Sequence, residues 1–472
     1  MTTTGTMTTG TAAILMITNN LQSDFSTGSV ARHILRQAVP LTVAQLFSLL
    51  YNIVDRIYLG HLPGTDGAAL TGVGLVFPLI TVVAAFTNLF SMGGAPLFSI
   101  ARGAGEEERA SRIMNNTFFM LCATAVVLML AVYLWKNPLL HLFGASETTY
   151  CYADSYLSIY LLGTPFVMLG TGLNPFINAQ GFPKMGMAVV AGGAALNLCL
   201  DPVFIFAFGL GVRGAAIATV LSQLFTAALV MLFFFGKKTM FRLRPAHMAP
   251  RSALILRITG LGTSGFIMAV TNSLVQVFCN RTLKLYGGDL YIAIMTVLNS
   301  VREIANVVVI GITNGAQPVI GYNYGAGEYA RVKRSITVMA VLGIGYTALF
   351  WAAVFLFPRQ FIRMFSSNAA ILESGVRAIH LYFFGFFFMA FQFVGQSTFV
   401  ALGKSKFSIF FSLFRKVIIV IPLTILLPRL WGLGTDGVFL AEPISNAVGG
   451  LACFITMLFV VGREFSREMK ME

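Results

Sequence analysis

The sequence predicts an all-α membrane protein of twelve transmembrane helices, arranged as two pseudo-symmetric six-helix bundles that form a parallel internal repeat. Three observations predict it. The 472 residues are 57% hydrophobic and only 11% charged, whereas soluble domains run near 45–50% apolar and about 25% charged. The chain divides into twelve apolar runs, each near the roughly 20 residues that a helix needs to cross a bilayer. Its two halves also resemble each other at one nearly constant spacing.

The runs fall at about 36–60, 68–95, 113–135, 155–179, 185–208, 212–236, 254–283, 290–316, 333–357, 378–401, 407–428 and 437–461. Gly and Pro punctuate many of them, which bilayer helices tolerate when neighbouring helices satisfy the freed backbone groups. The organisation reads as a polar tail at 1–31, a first lobe at 32–236, a basic linker at 237–253, a second lobe at 254–461 and a tail at 462–472. An even number of spans puts both termini on one side. That side holds nineteen Lys and Arg against seven opposite, so both termini are expected in the cytoplasm of a multi-pass inner-membrane protein. The net charge of +14 is thus a topology signal, not a sign of nucleic-acid binding. The linker stretch "KKTMFRLRPAHMAPR" reads as its strongest cytoplasmic anchor.

The repeat is seen in "GAGE" at 103–106 and again at 325–328, an offset of 222. Pro96 pairs with Pro318, and Ala179 and Gly181 pair with Ala401 and Gly403, at the same offset. "GLGVRGAAIATVLSQ" at 209–223 matches "GLGTDGVFLAEPISN" at 432–446. A six-helix unit re-enters the membrane in its first orientation, so its copies are related by an axis along the membrane normal, a common plan of transporters. Two such bundles face each other across a cleft, and rocking can expose it to either side.

Charges break the symmetry. Asp55 and Asp201 lie inside spans of the first half, and the matching positions carry Val277 and Leu423 or Thr424. An intramembrane carboxylate is costly and by default marks a functional site. Asn197 shares a helix face with Asp201, and Asn52 with Asp55. Pro202 removes a backbone donor next to Asp201. Two carboxylates close together in low dielectric cannot both ionise cheaply. Such a pair is suited to taking up and releasing a proton, or to holding one Na⁺. The plainer alternatives are an Asp55–Arg56 ion pair and an interfacial Asp201. Direct neighbours point about 100° apart on a helix, which makes the first awkward. About eight apolar residues follow Asp201, which argues against the second.

Other polar residues are less specific. Glu303 and Glu442 read as locally paired charges, and Arg415 lies deep enough to need a partner that the sequence does not name. Asn272, Gln276 and Asn280 form a polar stripe that suits helix–helix bonding or cavity lining equally. The five cysteines include no CxxC pair, so no disulfide framework or metal site is expected. The five histidines are scattered, and HExxH, GxSxG and P-loop patterns are absent. An enzyme is therefore not expected, nor is a cofactor.

"PLTVAQLFSLLYNIVDRIYLGHL", "NAQGFPK", "LNLCLDPVFIF", "GLGVRGAAIAT" and "NGAQPVIGYNYGAGE" resemble the multidrug and toxic compound extrusion family, its bacterial efflux branch above all. The resemblance runs from about 32 to 460. It implies two six-helix lobes working as an antiporter, which exports organic cations against H⁺ or Na⁺ and confers antibiotic resistance. By position it implies that Asp55, Asn197, Asp201 and Thr219 form the coupling network, where Na⁺ would also bind. Candidate lining for the substrate cavity is Asn52, Asn174, Gln223, Gln276, Asn280 and Gln317. One branch of the family couples through an acidic residue on its seventh helix; "TSGFIMAVTNSLVQVFCNRTLK" has none, which favours the first lobe. The expected partners are small organic cations and the lipid bilayer, with the protein a monomer. A lipid-linked saccharide flippase of the same superfamily is the alternative. A pyrophosphate cargo wants a basic cleft, whereas the deep charges read as mainly acidic, which favours the antiporter.

Overall fold

The computed structural model describes residues 25–60, 62, 68–236, 239–366, 368–430 and 432–468. All twelve apolar runs are helical. The first lobe comprises α1 (Val30–Gly60), α2 (Ala68–Gly103), α3 (Glu107–Leu142), α4 (Glu147–Leu162 and Thr164–Ala179), α5 (Pro183–Ala207) and α6 (Gly211–Phe235). Gly163 and the proline after Thr164 bend α4 by 56°. Residues 252–325 are continuous in hydrogen bonding, yet a straight helix of that length would measure about 110 Å, against a hydrocarbon layer of about 30 Å. Gly288, at φ 68° and ψ −162°, breaks the run, giving α7 (252–287) and α8 (289–325). Only glycine adopts that backbone without strain. The second lobe continues with α9 (Tyr329–Leu356), α10 (Ala369–Tyr382 and Phe388–Ala401), α11 (Ser405–Arg429) and α12 (Thr435–Glu468).

Helix ends run past the expected limits, because charged and small residues continue the turns beyond the apolar stretch. α12 extends to Glu468, past the boundary drawn at 461. Its end is docked: Phe465 is buried, Lys404 pairs with Glu464 at 2.8 Å, and the Tyr324 hydroxyl donates to Glu464 at 2.8 Å. Most of the N-terminal tail lies outside the described residues. Its last residues are packed, with Phe25 fully buried edge-on to Tyr322. Arg331 of α9 donates to the carbonyls of Phe25 and Gly28 at 2.9 and 3.1 Å. This clasp ties the entry of α1 to the second lobe.

The linker, from Thr239 onward, lies on the first lobe. Gln180 Oε1 accepts from Thr239 Oγ1, Met240 N and Phe241 N at 2.9, 3.0 and 3.1 Å. Asn115 and Asn116 accept from the backbone N–H of Arg244 and Arg251 at 2.8 and 3.1 Å. Three buried amides thus satisfy backbone donors that a loop would otherwise offer to water.

The lobes meet on one side only. In the half remote from the termini each lobe keeps a separate core, one around Leu59, Tyr156 and Ile205, the other around Leu298, Phe383 and Phe439. In the termini half the cores merge: α1 residues Val30, Ile34 and Ala38 pack with α8 and α9, and Ile258 of α7 joins the first-lobe core. Glycines permit this closeness. A Cβ at Gly93 would fall on the carbonyl of Ile258, and one at Gly262 on that of Leu89. Gly103 and Gly325 meet Tyr322 and Ile100 in the same way. The result is two lobes closed at the termini face, with a central cavity between them.

Candidate functional site

In the first lobe, Asp201 is fully buried on α5 and Asp55 partly buried on α1. They lie within electrostatic reach of each other. Asn197, one turn before Asp201, donates through Nδ2 to Asp201 Oδ1 at 3.3 Å. Three acceptor oxygens then remain buried without a hydrogen-bond partner: Asp55 Oδ1, Asp201 Oδ2 and Asn197 Oδ1. Leaving such groups unsatisfied is costly, and a proton or a hard cation is what oxygen clusters of this kind accept. Pro202 ends the α-helical ladder beside Asp201, and the chain continues as a π-helical turn, Val203–Ala207. Such turns recur at functional sites. The Arg56 guanidinium sits 5.0 Å over the ring of Phe77, within electrostatic reach of Asp55. Among the described residues no ion pair joins it to Asp55.

A cavity of about 110 Å³ is lined by Tyr51 and Asn197, each one turn before one of these carboxylates, though not by the carboxylates themselves. Ser48, Tyr51, Asn197, Thr219, Ser222 and Gln223 help line it, so Thr219, expected in the coupling network, and Gln223, expected in the substrate cavity, share one wall. Asp55 follows Tyr51 by one turn. The sequence reading missed the tyrosines: Tyr51 and Tyr156 lie within reach of Asp55, and Tyr160 of Gln223. Their apolar composition hid them, since a tyrosine on a core face reads as packing until its neighbours are known. Other candidates sit elsewhere. Asn52 is exposed and donates back to Ser48 O at 2.7 Å. Asn174 packs against Gly186 and Asn178, toward the termini face and away from this cavity. Gln276 donates to Asn280 and accepts from Asn299, both at 2.9 Å, a network within the second lobe. Gln317 donates to Ser397 at 3.1 Å and lines the central cavity.

The second lobe corrects the expectation that the deep charges are mainly acidic. Glu442 of α12 is buried and faces three cations: Lys416 Nζ at 3.0 Å, Arg415 Nη1 at 3.2 Å and Arg302 Nη1 at 3.6 Å. Arg415, whose partner the sequence could not name, also bonds Asn446 Oδ1, and its carbonyl accepts from Ser445 Oγ at 3.1 Å. A π-helical turn at Phe414–Val420 carries Arg415 and Lys416, and two consecutive side chains reach one carboxylate. Glu303 is exposed, makes no close ion pair among the described residues, and lies within electrostatic reach of Arg302. The repeat alignment sets Glu442 opposite Thr219, so corresponding helices carry the polar centre of each lobe with different chemistry. Glu442→Ala strands three cations in low dielectric. It is expected to cost about 3–5 kcal/mol, seen as a large fall in the Tm of the solubilised protein; a wild-type Tm would refute the buried network.

The central cavity, of about 360 Å³, is bounded mostly by α7, α8, α10, α11 and α12, with Gln45, Asn88 and Met92 from the first lobe. Arg302, Arg415, Lys416 and Glu442 reach its wall.

Comparison with known proteins places this arrangement. The family model MatE matches residues 40–203 and 264–426. Multidrug export protein MepA of Staphylococcus saprophyticus is 24% identical over 93% of this chain and 96% of its own. The fold is shared with a solved structure described as the outward-facing conformation of a multidrug resistance MATE family transporter of the MOP superfamily, at a TM-score of 0.88 and 21% identity over 93% of this chain and 97% of the other. It is also shared with a MOP superfamily transporter from Pyrococcus furiosus, described as having a binding pocket of reverse polarity that suggests a different function. That match has a TM-score of 0.87 and 21% identity over 92% and 96% of the two chains.

Proposed function

Because the chain belongs to the MatE family, we propose that this multidrug efflux transporter is a secondary antiporter, exporting amphipathic organic compounds against inward H⁺ or Na⁺ by alternating access. The observation that supports the coupling is the first-lobe pair Asp55 and Asp201, with three buried acceptor oxygens that meet no protein donor. The excess of Lys and Arg on the termini side puts both ends in the cytoplasm, so the closed face is the inner one and the cleft opens outward. A cation entering from outside removes one negative charge from the pair. The first lobe repacks, cargo leaves outward, and the lobes rock until the cation escapes inward. Across a membrane, 100 mV contributes about 2.3 kcal/mol per charge and one pH unit about 1.4 kcal/mol. One cation therefore supports a gradient of about tenfold or more.

The test is efflux of a fluorescent organic cation from vesicles, with the pH and Na⁺ gradients collapsed separately. Export is expected to fail on collapse of one of them. Export indifferent to both would end the antiport reading. The basic wall of the central cavity favours a second reading, the lipid-linked saccharide flippase. Proteoliposomes that fail to translocate a labelled polyprenyl-linked sugar would remove it.

A further inference from the structure

The charged residues lining the central cavity are three cations and one carboxylate. Even counting exposed Glu303, which lies within electrostatic reach of Arg302, three cations meet two carboxylates among the described residues, so one positive charge lacks a counter-charge. Glu442 carries one negative charge, so it can balance only one of the three cations that approach its Oε1. The Nε of Arg302 and that of Arg415 are buried without a hydrogen-bond partner, and the Arg415 residue is only 9% exposed. A buried charge is retained when a partner of opposite sign meets it. A guanidinium offers a planar fork of donors that matches a carboxylate. Met268 and Phe393 supply apolar wall in the same cavity.

We propose that this wall is an anion-binding site, and that the molecules held in the central cavity present a carboxylate to Arg302, Arg415 and Lys416 beside an apolar body. A purely cationic cargo is repelled there. A zwitterion satisfies both this wall and the acidic first lobe. The naming of these molecules as cargo rests on the export reading; the site itself does not.

A matched pair of dyes tests it. Tetramethylrhodamine carries a free carboxylate, and its methyl ester differs only in masking that group. Binding of each to the full-length protein in lipid nanodiscs is measured by fluorescence anisotropy, in low-salt buffer free of added carboxylate and with no ion gradient. The acid is expected to bind about tenfold more tightly than the ester. Excess chloride should narrow that ratio by competition. Lys416→Met, which keeps the Arg415–Glu442 pair, should cut it about threefold. The dye comparison and the chloride titration use the unaltered protein, so they stand even where the variant does not fold. Equal affinity for the two dyes, or a preference for the ester, overturns the proposal, as does an acid preference that chloride leaves untouched. Neither result touches gradient coupling, which fails or survives through the first-lobe carboxylates.

Discussion

Asp201→Asn is expected to abolish gradient-driven export while the protein still inserts and folds. The carboxylate is fully buried, holds one hydrogen bond from Asn197, and leaves Oδ2 unmet. An amide of the same shape keeps one acceptor oxygen for Asn197 Nδ2. The substitution also removes a charge whose burial costs several kcal/mol, so the Tm should hold or rise. What disappears is the exchangeable charge. Efflux in energised vesicles should fall to the level of protein-free controls, with dye binding at equilibrium retained. Unchanged efflux would take this carboxylate out of the mechanism. Asp55→Asn should act in the same direction and less completely, since that residue is only partly buried.

Gly262→Ala carries the second large effect. In the structure an alanine Cβ at this position falls on the carbonyl oxygen of Leu89, where α2 and α7 run backbone against backbone. A backbone carbonyl cannot swing aside as a side chain can, so the helices must separate. Neighbouring contacts at Gly93 and Ile258 would separate with them. Overpacking of this kind costs about 1–3 kcal/mol, and here the cost falls on the state with the termini face closed. Populations should shift roughly 5- to 150-fold toward the opposite state. Distances between spin labels across the termini face should lengthen, and export should drop steeply. An unchanged distance distribution with normal export would show that this seam does not close the inner face. Gly345, which has open space around it, is the control: alanine there should be silent.

The twelve helices and the duplication were legible because both are statements about spacing along the chain. Length of apolar run identifies a membrane span, and a constant offset identifies a repeat, whatever the three-dimensional packing. The first-lobe carboxylates were legible for a related reason: an aspartate flanked by Leu, Val and Phe has few inexpensive explanations in a bilayer. The second-lobe cluster was not. Arg302, Arg415, Lys416 and Glu442 come from three helices, and each alone resembles a local or interfacial charge. Their convergence on one oxygen depends on helix rotation and on the π-helical turn in α11, which no pattern of hydropathy reports. The tyrosines around Asp55 were hidden in the same way, as ordinary aromatics on buried faces.

The docked linker limits how the machine can move. Its backbone is stapled to the first lobe by Gln180, Asn115 and Asn116 as far as Arg251, and α7 begins at Ser252. There is no slack rope between the halves. Among the described residues of the linker, the first peptide beyond these staples is the one at the foot of α7, so the second lobe is set to turn as a door does on a pin at its inner corner, with its outer edge sweeping the widest arc.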